Sequence, residues 1–291
     1  MIKEYEEFIP LDKSWINRMG VLDMIHGYND IKQFLSGQSD LGDDLLALKR
    51  ASELWNTDLP IDVGESGTLY RILQFVSWEK GLNKKFIIHG TLIGRAKKMP
   101  NDPDIINLSL KELRALPDDT SQRVTAAILL GNEEPIPEDF DYEIKFTTVE
   151  ALAHWNKQRK ARLTWEPRYD ETIRRQAEAF LELMSGSRPI FIPEHSEDYC
   201  FARAFGYMKR EEGEARWPKL RGHESDRLEG MEQSILQAKS GEQIDSRDHR
   251  VVQAMAMWGL VNNKKLNFAY PEAVNKTWPK FWDFLYTREH S

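Results

Sequence analysis

The chain has 291 residues, and with 41% hydrophobic and 30% charged residues it is expected to fold around a core rather than to be disordered. This length fits one large domain or two of ordinary size. The formal net charge of −7 argues against a general nucleic-acid binder, which needs a basic surface. The only cysteine, Cys200, excludes a disulfide framework and a cysteine-based zinc site.

The distribution of apolar residues along the chain indicates in which cellular compartment the protein is expected. The opening residues MIKEYEEFIP are acidic and lack an apolar segment, so we expect no signal peptide. No run approaches the ~18 apolar residues that a membrane helix needs. We therefore expect a cytoplasmic protein without a membrane partner, and a single cysteine fits a reducing compartment.

The apolar periodicity predicts helices that alternate with short strands. In the first half, residues 45–55 predict a helix, Thr68 is a candidate N-cap of a second helix that ends near Gly81, and residues 85–89 predict a buried strand. Further along, the predicted helices are 120–131, 169–184, 200–208, one that begins near residue 224, and 251–261; the predicted strands are 145–148 and 189–193. Alternating strands and helices predict the α/β class.

Three short stretches begin apolar helices with small, hydroxylic or basic residues: GESGTLYR at 64–71, TSQRVTAAILLG at 120–131 and DHRVVQAMAMWGL at 248–260. A fourth, RGHESDRLEGM at 221–231, adds His, Glu, Asp and two Arg. Helix N-termini and basic side chains together bind phosphate and carboxylate groups. Taken singly, each stretch is explained as well by a tight turn, an N-cap or a solvated helix start. Together they predict an anion-binding active site.

In the order of the chain, these stretches resemble the conserved blocks of the enolpyruvyl transferases, in particular the branch of 5-enolpyruvylshikimate-3-phosphate synthases. Six blocks carry the resemblance: LDKSWINRMGVLDMI, DVGESGTLYR, TSQ, RGHESDRLEGM, DHRVVQAMAMW and NKTWPKFWDFL. The resemblance implies two similar α/β domains of the inside-out α/β barrel type, reduced in size, with a cleft between them. The implied domains are residues 20–186, on the acceptor side, and residues 1–19 with 187–291, on the donor side. A monomer is expected.

The family moves the carboxyvinyl group of phosphoenolpyruvate to a hydroxyl of a cyclic hydroxy-carboxylate, by addition and elimination, and releases phosphate. The resemblance implies no metal and no cofactor. It assigns three sets of residues. The catalytic set is Glu224, His223, Glu194 and Lys13. The donor-binding set is Lys13, Gly67, Lys97, Gln122, Arg227, His249, Arg250 and Lys276. The acceptor-binding set is Ser14, Arg18, Arg71, Thr120, Ser121 and Tyr169.

Several positions depart from the family pattern. Lys97 stands in place of Arg and loses the planar fork that grips a carboxylate, while His223 stands in place of Lys. Glu194, or alternatively His195, aligns loosely with the catalytic Asp of the family. Glu65 replaces an Asn, and Glu166 replaces a Ser that faces the acceptor phosphate. A carboxylate there repels a phosphate, so the expected acceptor is not necessarily shikimate 3-phosphate.

Two alternatives stay open. The chain is either an active transferase or a catalytically silent relative that binds phosphoenolpyruvate or a ring carboxylate as a sensor or partner subunit. A third reading, the sugar-nucleotide branch with its reactive cysteine in a mobile loop, ranks last because Cys200 lies in an apolar, helix-like stretch.

Overall fold

The computed structural model describes residues 5–116, 120–131, 167–221 and 226–289. It divides into two compact units. We call Leu11–Arg168 the N-terminal unit, and Met1–Pro10 with Tyr169–Ser291 the C-terminal unit. The expected boundaries were at 19/20 and 186/187. The observed boundaries lie elsewhere because each helix packs within one unit. The 19/20 boundary would cut through the helix Lys13–His26, and the 186/187 boundary would separate the helix Glu171–Met184 from the helices against which it packs.

The N-terminal unit is mostly helical. Its helices are α1 (Lys13–His26), α2 (Asp30–Ser36), α3 (Asp43–Leu54), α4 (Gly67–Glu79), α5 (Gly90–Ala96), α6 (Leu110–Ala115) and α7 (Thr120–Leu129), with a 3-10 turn at Pro103–Asn107. The predictions for 45–55 and 120–131 are therefore confirmed. Helix α4 begins one residue before Thr68, so the N-cap position belongs to Ser66 and the Thr68 prediction was wrong.

Local sequence explains where several of these helices begin and end. The Asp12 carboxylate accepts hydrogen bonds from the backbone N–H groups of Ser14 and Trp15, which caps α1. Gly27 ends that helix with a φ of 73°, a left-handed conformation that favours glycine. Ser109 and Glu112 form a reciprocal capping box at α6. The buried apolar residues of α1, α3, α4 and α7 then form one core.

The expected α/β architecture is only partly observed. Within the described residues the sheet has two parallel strands, β1 (Ile61–Gly64) and β2 (Phe86–Ile88), paired from Ile61–Phe86 to Gly64–Ile88. The prediction for 85–89 is confirmed as a strand, although its side chains are not fully buried. The described chain is otherwise predominantly helical and contains no barrel, so the two-barrel expectation was wrong for this part of the chain.

Residues 189–193 were expected to form a strand, and they do not. Pro189 and Pro193 lack the backbone N–H that a strand donates to its neighbour. Ile190 is 91% and Ile192 is 64% exposed, so most of the apolar run that suggested a strand lies on the surface, although Phe191 between them is buried. The strand predicted at 145–148 lies outside the described residues.

The C-terminal unit contains helices α8 (Glu171–Met184), α9 (Tyr199–Ala204), α10 (Arg210–Arg216), α11 (Arg227–Ser240), α12 (His249–Val261) and α13 (Phe281–Glu289). Three 3-10 turns that matter below are Glu6–Phe8, Ser196–Asp198 and Pro271–Lys276. The predictions for 169–184 and 251–261 are confirmed, and the helices expected at 200–208 and near 224 are observed in shorter or shifted form.

Helix α12 is the centre of the C-terminal unit and is buried on nearly every side, as its continuous apolar sequence predicted. Helices α8, α9, α11 and the 3-10 turn Pro271–Lys276 pack against it. The segment that precedes the N-terminal unit is also part of this core, since the indole N–H of Trp278 donates to the carbonyl of Phe8 at 2.6 Å. In the part of the chain that is described, no helix has the length and apolar character needed to cross a bilayer.

Candidate active site

The residues singled out by the sequence fall in both units. The N-terminal unit holds Lys13, Ser14, Arg18, Gly67, Arg71, Lys97, Thr120, Ser121 and Gln122. The C-terminal unit holds Tyr169, Glu194, Arg227, His249, Arg250 and Lys276. Each unit therefore contains its own group of candidate residues.

In the N-terminal unit the candidate centre is the start of α4. The chain leaves β1 through Gly64, whose φ of 57° favours glycine, and enters the helix at Gly67. Ser66 is the N-cap residue, yet its side chain makes no capping hydrogen bond. Its hydroxyl oxygen is buried and has no hydrogen-bond partner within the described ranges. The Ser66 side chain therefore does not cap the backbone N–H groups in the first turn of this 13-residue helix. Such a helix start can bind an anion.

Two guanidinium groups lie beside Gly67. A Cβ atom added at this position would lie 3.2 Å from Nη1 of Arg95 and 3.4 Å from Nη1 of Arg71. Arg71 is 5% exposed, so its charge is held at the base of the site rather than in solvent. Glycine at position 67 therefore leaves room for both cations and for close approach to the helix backbone.

Arg95, rather than Lys97, is the cation of α5 that lies beside Gly67. Lys97 is exposed at the C-terminal end of α5, whereas Arg95 is half-buried and its Nη2 donates to the carbonyl of Glu65 at 3.4 Å. The sequence interpretation missed Arg95. A signal was present, because Arg95 lies three residues after the buried Leu92 and so shares its helix face.

Two other candidates in the N-terminal unit have partners within the protein. Lys13 Nζ forms an ion pair with Asp44 Oδ2 at 2.9 Å, and Arg18 Nη1 donates to the carbonyl of Ser14 at 3.2 Å. Gln122 is half-buried near the start of α7, which packs against α4. Thr120 and Ser121 open α7 as expected, although their side chains lie outside the described part of the structure.

In the C-terminal unit, the N-terminal ends of α11 and α12 are joined by one carboxylate. Asp248 caps α12, because its Oδ1 accepts from the backbone N–H of Arg250 at 2.8 Å. Its Oδ2 accepts from Nε of Arg227 at 3.0 Å. Burial lowers the pKa of Arg227, but the adjacent Asp248 carboxylate, together with Cys200 and Glu197, raises it by more, so the net shift is upward and the guanidinium stays charged.

Arg250 is the most deeply buried cation of this group, with 1% of its surface exposed. Its Nη2 pairs with Oε2 of Glu197 at 2.7 Å. Its Nε and Nη1 atoms have no hydrogen-bond partner among the described residues. Because a buried unsatisfied donor is costly, two such donors on one guanidinium favour an anionic ligand at this position.

Cys200 lies close enough for Arg227 and Arg250 to influence its titration, but it is not a nucleophile. Burial, and secondarily Asp248, raise the pKa of the Cys200 thiol to about 12, against the opposing effect of the two arginines. The thiol is therefore neutral at physiological pH and belongs to the apolar core.

Glu194 was expected to act in proton transfer, and it is found in an ion pair. Its Oε1 lies 3.2 Å from Nη1 of Arg175. The same arginine contacts Asp198, which is fully buried and also accepts from Gln176 and from the backbone N–H of Glu194. The sequence analysis missed Asp198, although its spacing of three residues from the N-cap His195 is typical of a capping box.

The remaining candidates in this unit are less central. His249 is buried beside Arg250, and Lys276 is half-buried at the end of a 3-10 turn that packs on α12. Tyr169 is 52% exposed. His223 and Glu224 lie outside the described residues. The described residues contain no group of three or more His, Cys, Asp or Glu side chains that could hold a metal ion.

Comparison of the chain with protein-family models, with curated protein sequences and with solved structures gave no match in any of the three.

Proposed function

We propose that the chain is an enolpyruvyl transferase that moves the carboxyvinyl group of phosphoenolpyruvate to a hydroxyl of a shikimate-like or other cyclic hydroxy-carboxylate. The observation that carries the proposal is the arginine pair at the starts of α11 and α12. Arg250 is buried with two unsatisfied N–H groups, and Arg227 is joined to the same helix start through Asp248. The phosphate of phosphoenolpyruvate carries about −1.5 to −2 charge and suits such a pair.

The proposed reaction has two steps. In the addition step the methylene carbon of phosphoenolpyruvate gains a proton, and the acceptor oxygen, having lost its proton, bonds to the adjacent carbon. In the elimination step the carbon–oxygen bond to phosphate breaks and the methyl carbon returns a proton. His223 and Glu224 are the proposed proton carriers, because the ordinary pKa of histidine is near neutral and glutamate is a common general acid or base.

The start of α4 is a second proposed anion site, which takes a carboxylate group. Arg71 and Arg95 beside Gly67 support this assignment, because two cations at a helix N-terminus favour a small anion. In the proposal Arg95 therefore takes the role that the resemblance gave to Lys97. Its planar guanidinium grips a carboxylate with two parallel hydrogen bonds, which a lysine cannot form.

The test is phosphate release from phosphoenolpyruvate, measured with the purified chain over a panel of cyclic hydroxy-carboxylates that includes shikimate 3-phosphate. Mass spectrometry must find the matching enol ether. Arg250→Lys should lower kcat/KM about 100-fold, because it removes part of a charged hydrogen-bond network. Arg216→Lys, at an exposed arginine outside the four predicted anion-binding stretches, is the matched control and should leave the rate unchanged. Absence of phosphate release across the whole panel would refute the transferase.

A catalytically silent binder of phosphoenolpyruvate or a ring carboxylate is the second candidate. One observation favours it: Glu194, the expected proton carrier, is engaged by Arg175 at 3.2 Å. A silent binder would be stabilised against heat by phosphoenolpyruvate yet release no phosphate with any acceptor. An active transferase would show both effects.

A further inference from the structure

The two arginines of the C-terminal unit have carboxylate partners of very different kinds. Arg227 is held by Asp248, whose side chain is 8% exposed and also caps α12. Arg250 is held by Glu197, whose side chain is 44% exposed. Release of Asp248 would cost a largely buried ion pair and a helix cap, whereas the Glu197 carboxylate already has 44% of its surface in solvent.

The backbone beneath Glu197 is fixed independently of that ion pair. Glu197 lies in the 3-10 turn Ser196–Asp198, and the buried Asp198 accepts hydrogen bonds from the backbone N–H groups of Glu194 and His195. Asp198 also receives the side-chain amide of Gln176 at 2.9 Å. The turn therefore keeps its place if the Glu197 side chain swings away from Arg250.

The Glu197 carboxylate is the solvent-facing partner of a guanidinium that is itself almost fully buried. A ligand anion that reaches Arg250 from solvent must share or replace the contact made by this carboxylate. Glu197 is 44% exposed and keeps its charge solvated when it leaves, whereas Arg250 stays buried and needs another anion in its place. A phosphate dianion, with more charge and more acceptor oxygens than a carboxylate, competes effectively for the same donors.

We propose that Glu197 is an internal competitor that occupies the anion site at Arg250 until a phosphate-bearing ligand displaces it. The inference rests on the proposed function only in taking Arg250 as an anion-binding residue. Glu197 then determines how strongly the site selects for phosphate, because every ligand must first overcome the resident carboxylate. Weakly bound monoanions are thereby kept out.

The experiment measures binding of inorganic phosphate by titration calorimetry, with no acceptor and no turnover. Glu197→Gln keeps the shape of the side chain and removes its charge, so phosphate should bind about three- to tenfold more tightly than to the wild type. Glu214→Gln is the matched control, since Glu214 pairs with the exposed Arg221 and should have no effect. In an Arg250→Lys background, the gain from Glu197→Gln should shrink or disappear.

Equal or weaker phosphate binding to Glu197→Gln would overturn the inference, and so would a failure of every variant to bind phosphate. Circular dichroism and the thermal midpoint establish that each variant is folded, and Glu197→Ala provides a second neutral variant. The two proposals fail separately. Tighter phosphate binding without any enol ether product would leave the role of Glu197 intact and remove the transferase.

Discussion

Asp248 and Arg227 join the starts of two helices, since Oδ2 of Asp248 accepts from Nε of Arg227 at 3.0 Å while its Oδ1 caps α12. The two carboxylate oxygens therefore have separate tasks, one within α12 and one toward α11. Because the side chain is largely buried, neither hydrogen bond is readily replaced by water. This single residue fixes the spacing of the arginine-bearing helix ends.

The first prediction concerns that residue. Asp248→Ala should lower the free energy of unfolding by about 3 kcal/mol, because it removes a helix cap and leaves a buried guanidinium without its partner. Urea denaturation measures the change. Asp245→Ala is the control, since Asp245 is exposed three residues earlier and should stay within about 0.5 kcal/mol of the wild type. Similar losses for both variants would contradict the role given to Asp248.

The second prediction concerns Gly67. Gly67→Ala places a methyl group 3.2 Å and 3.4 Å from the guanidinium nitrogens of Arg95 and Arg71, so both should shift while the fold persists. We expect phosphoenolpyruvate binding to weaken about tenfold, as for the loss of one charged hydrogen bond. Calorimetry measures the affinity and differential scanning fluorimetry the stability. Gly94→Ala, where an added Cβ meets nothing within 4 Å, should leave the affinity unchanged.

The third prediction separates Arg95 from Lys97. Arg95→Gln should weaken phosphoenolpyruvate binding about tenfold, because it removes a half-buried cation beside Gly67. Lys97→Gln should change the affinity less than twofold, since that side chain is exposed and such charges are screened. Both affinities are measured by calorimetry at the same salt concentration. The reverse ranking would restore the assignment made from the sequence.

The fourth prediction concerns the pH dependence of stability. Partial burial, and then the nearby Lys80, lower the pKa of His26 below its ordinary value of 6.5. The unfolded chain therefore binds a proton at this histidine more readily than the folded protein does. Neutral His26 thus contributes its full stability above pH 6.5, and this contribution is lost as the pH falls through the lowered pKa. His26→Gln should reduce the loss of stability between pH 8 and pH 5.5, as measured by urea midpoints.

Lys80→Met provides the companion variant for His26. Removal of the neighbouring cation should raise the pKa of His26 toward its ordinary value, because like charges disfavour protonation. The pH dependence of stability should then become weaker, though less than in His26→Gln. If both variants lose as much stability between pH 8 and pH 5.5 as the wild type does, His26 does not contribute to the pH dependence.

Much of the helical structure could be predicted from local sequence. The helix of the 251–261 stretch follows from its apolar run, and the helix at 45–55 from its single apolar stripe. The strand expected at 189–193 shows where such reasoning fails. A short apolar run is equally compatible with a surface segment, and only the packing around Ile190 reveals that its side chain is exposed.

The sequence by itself determined several helix starts, though not that of α4, because an N-cap such as Asp12 or Asp248 acts on backbone groups two or three residues away. Tertiary structure alone decided which cations gather at each start. Arg95 and Lys97 differ by two positions, or about 200° around a helix, so only packing reveals which one reaches Gly67. The pairing of Glu197 with Arg250 joins residues far apart in the chain, and no local pattern encodes such a contact.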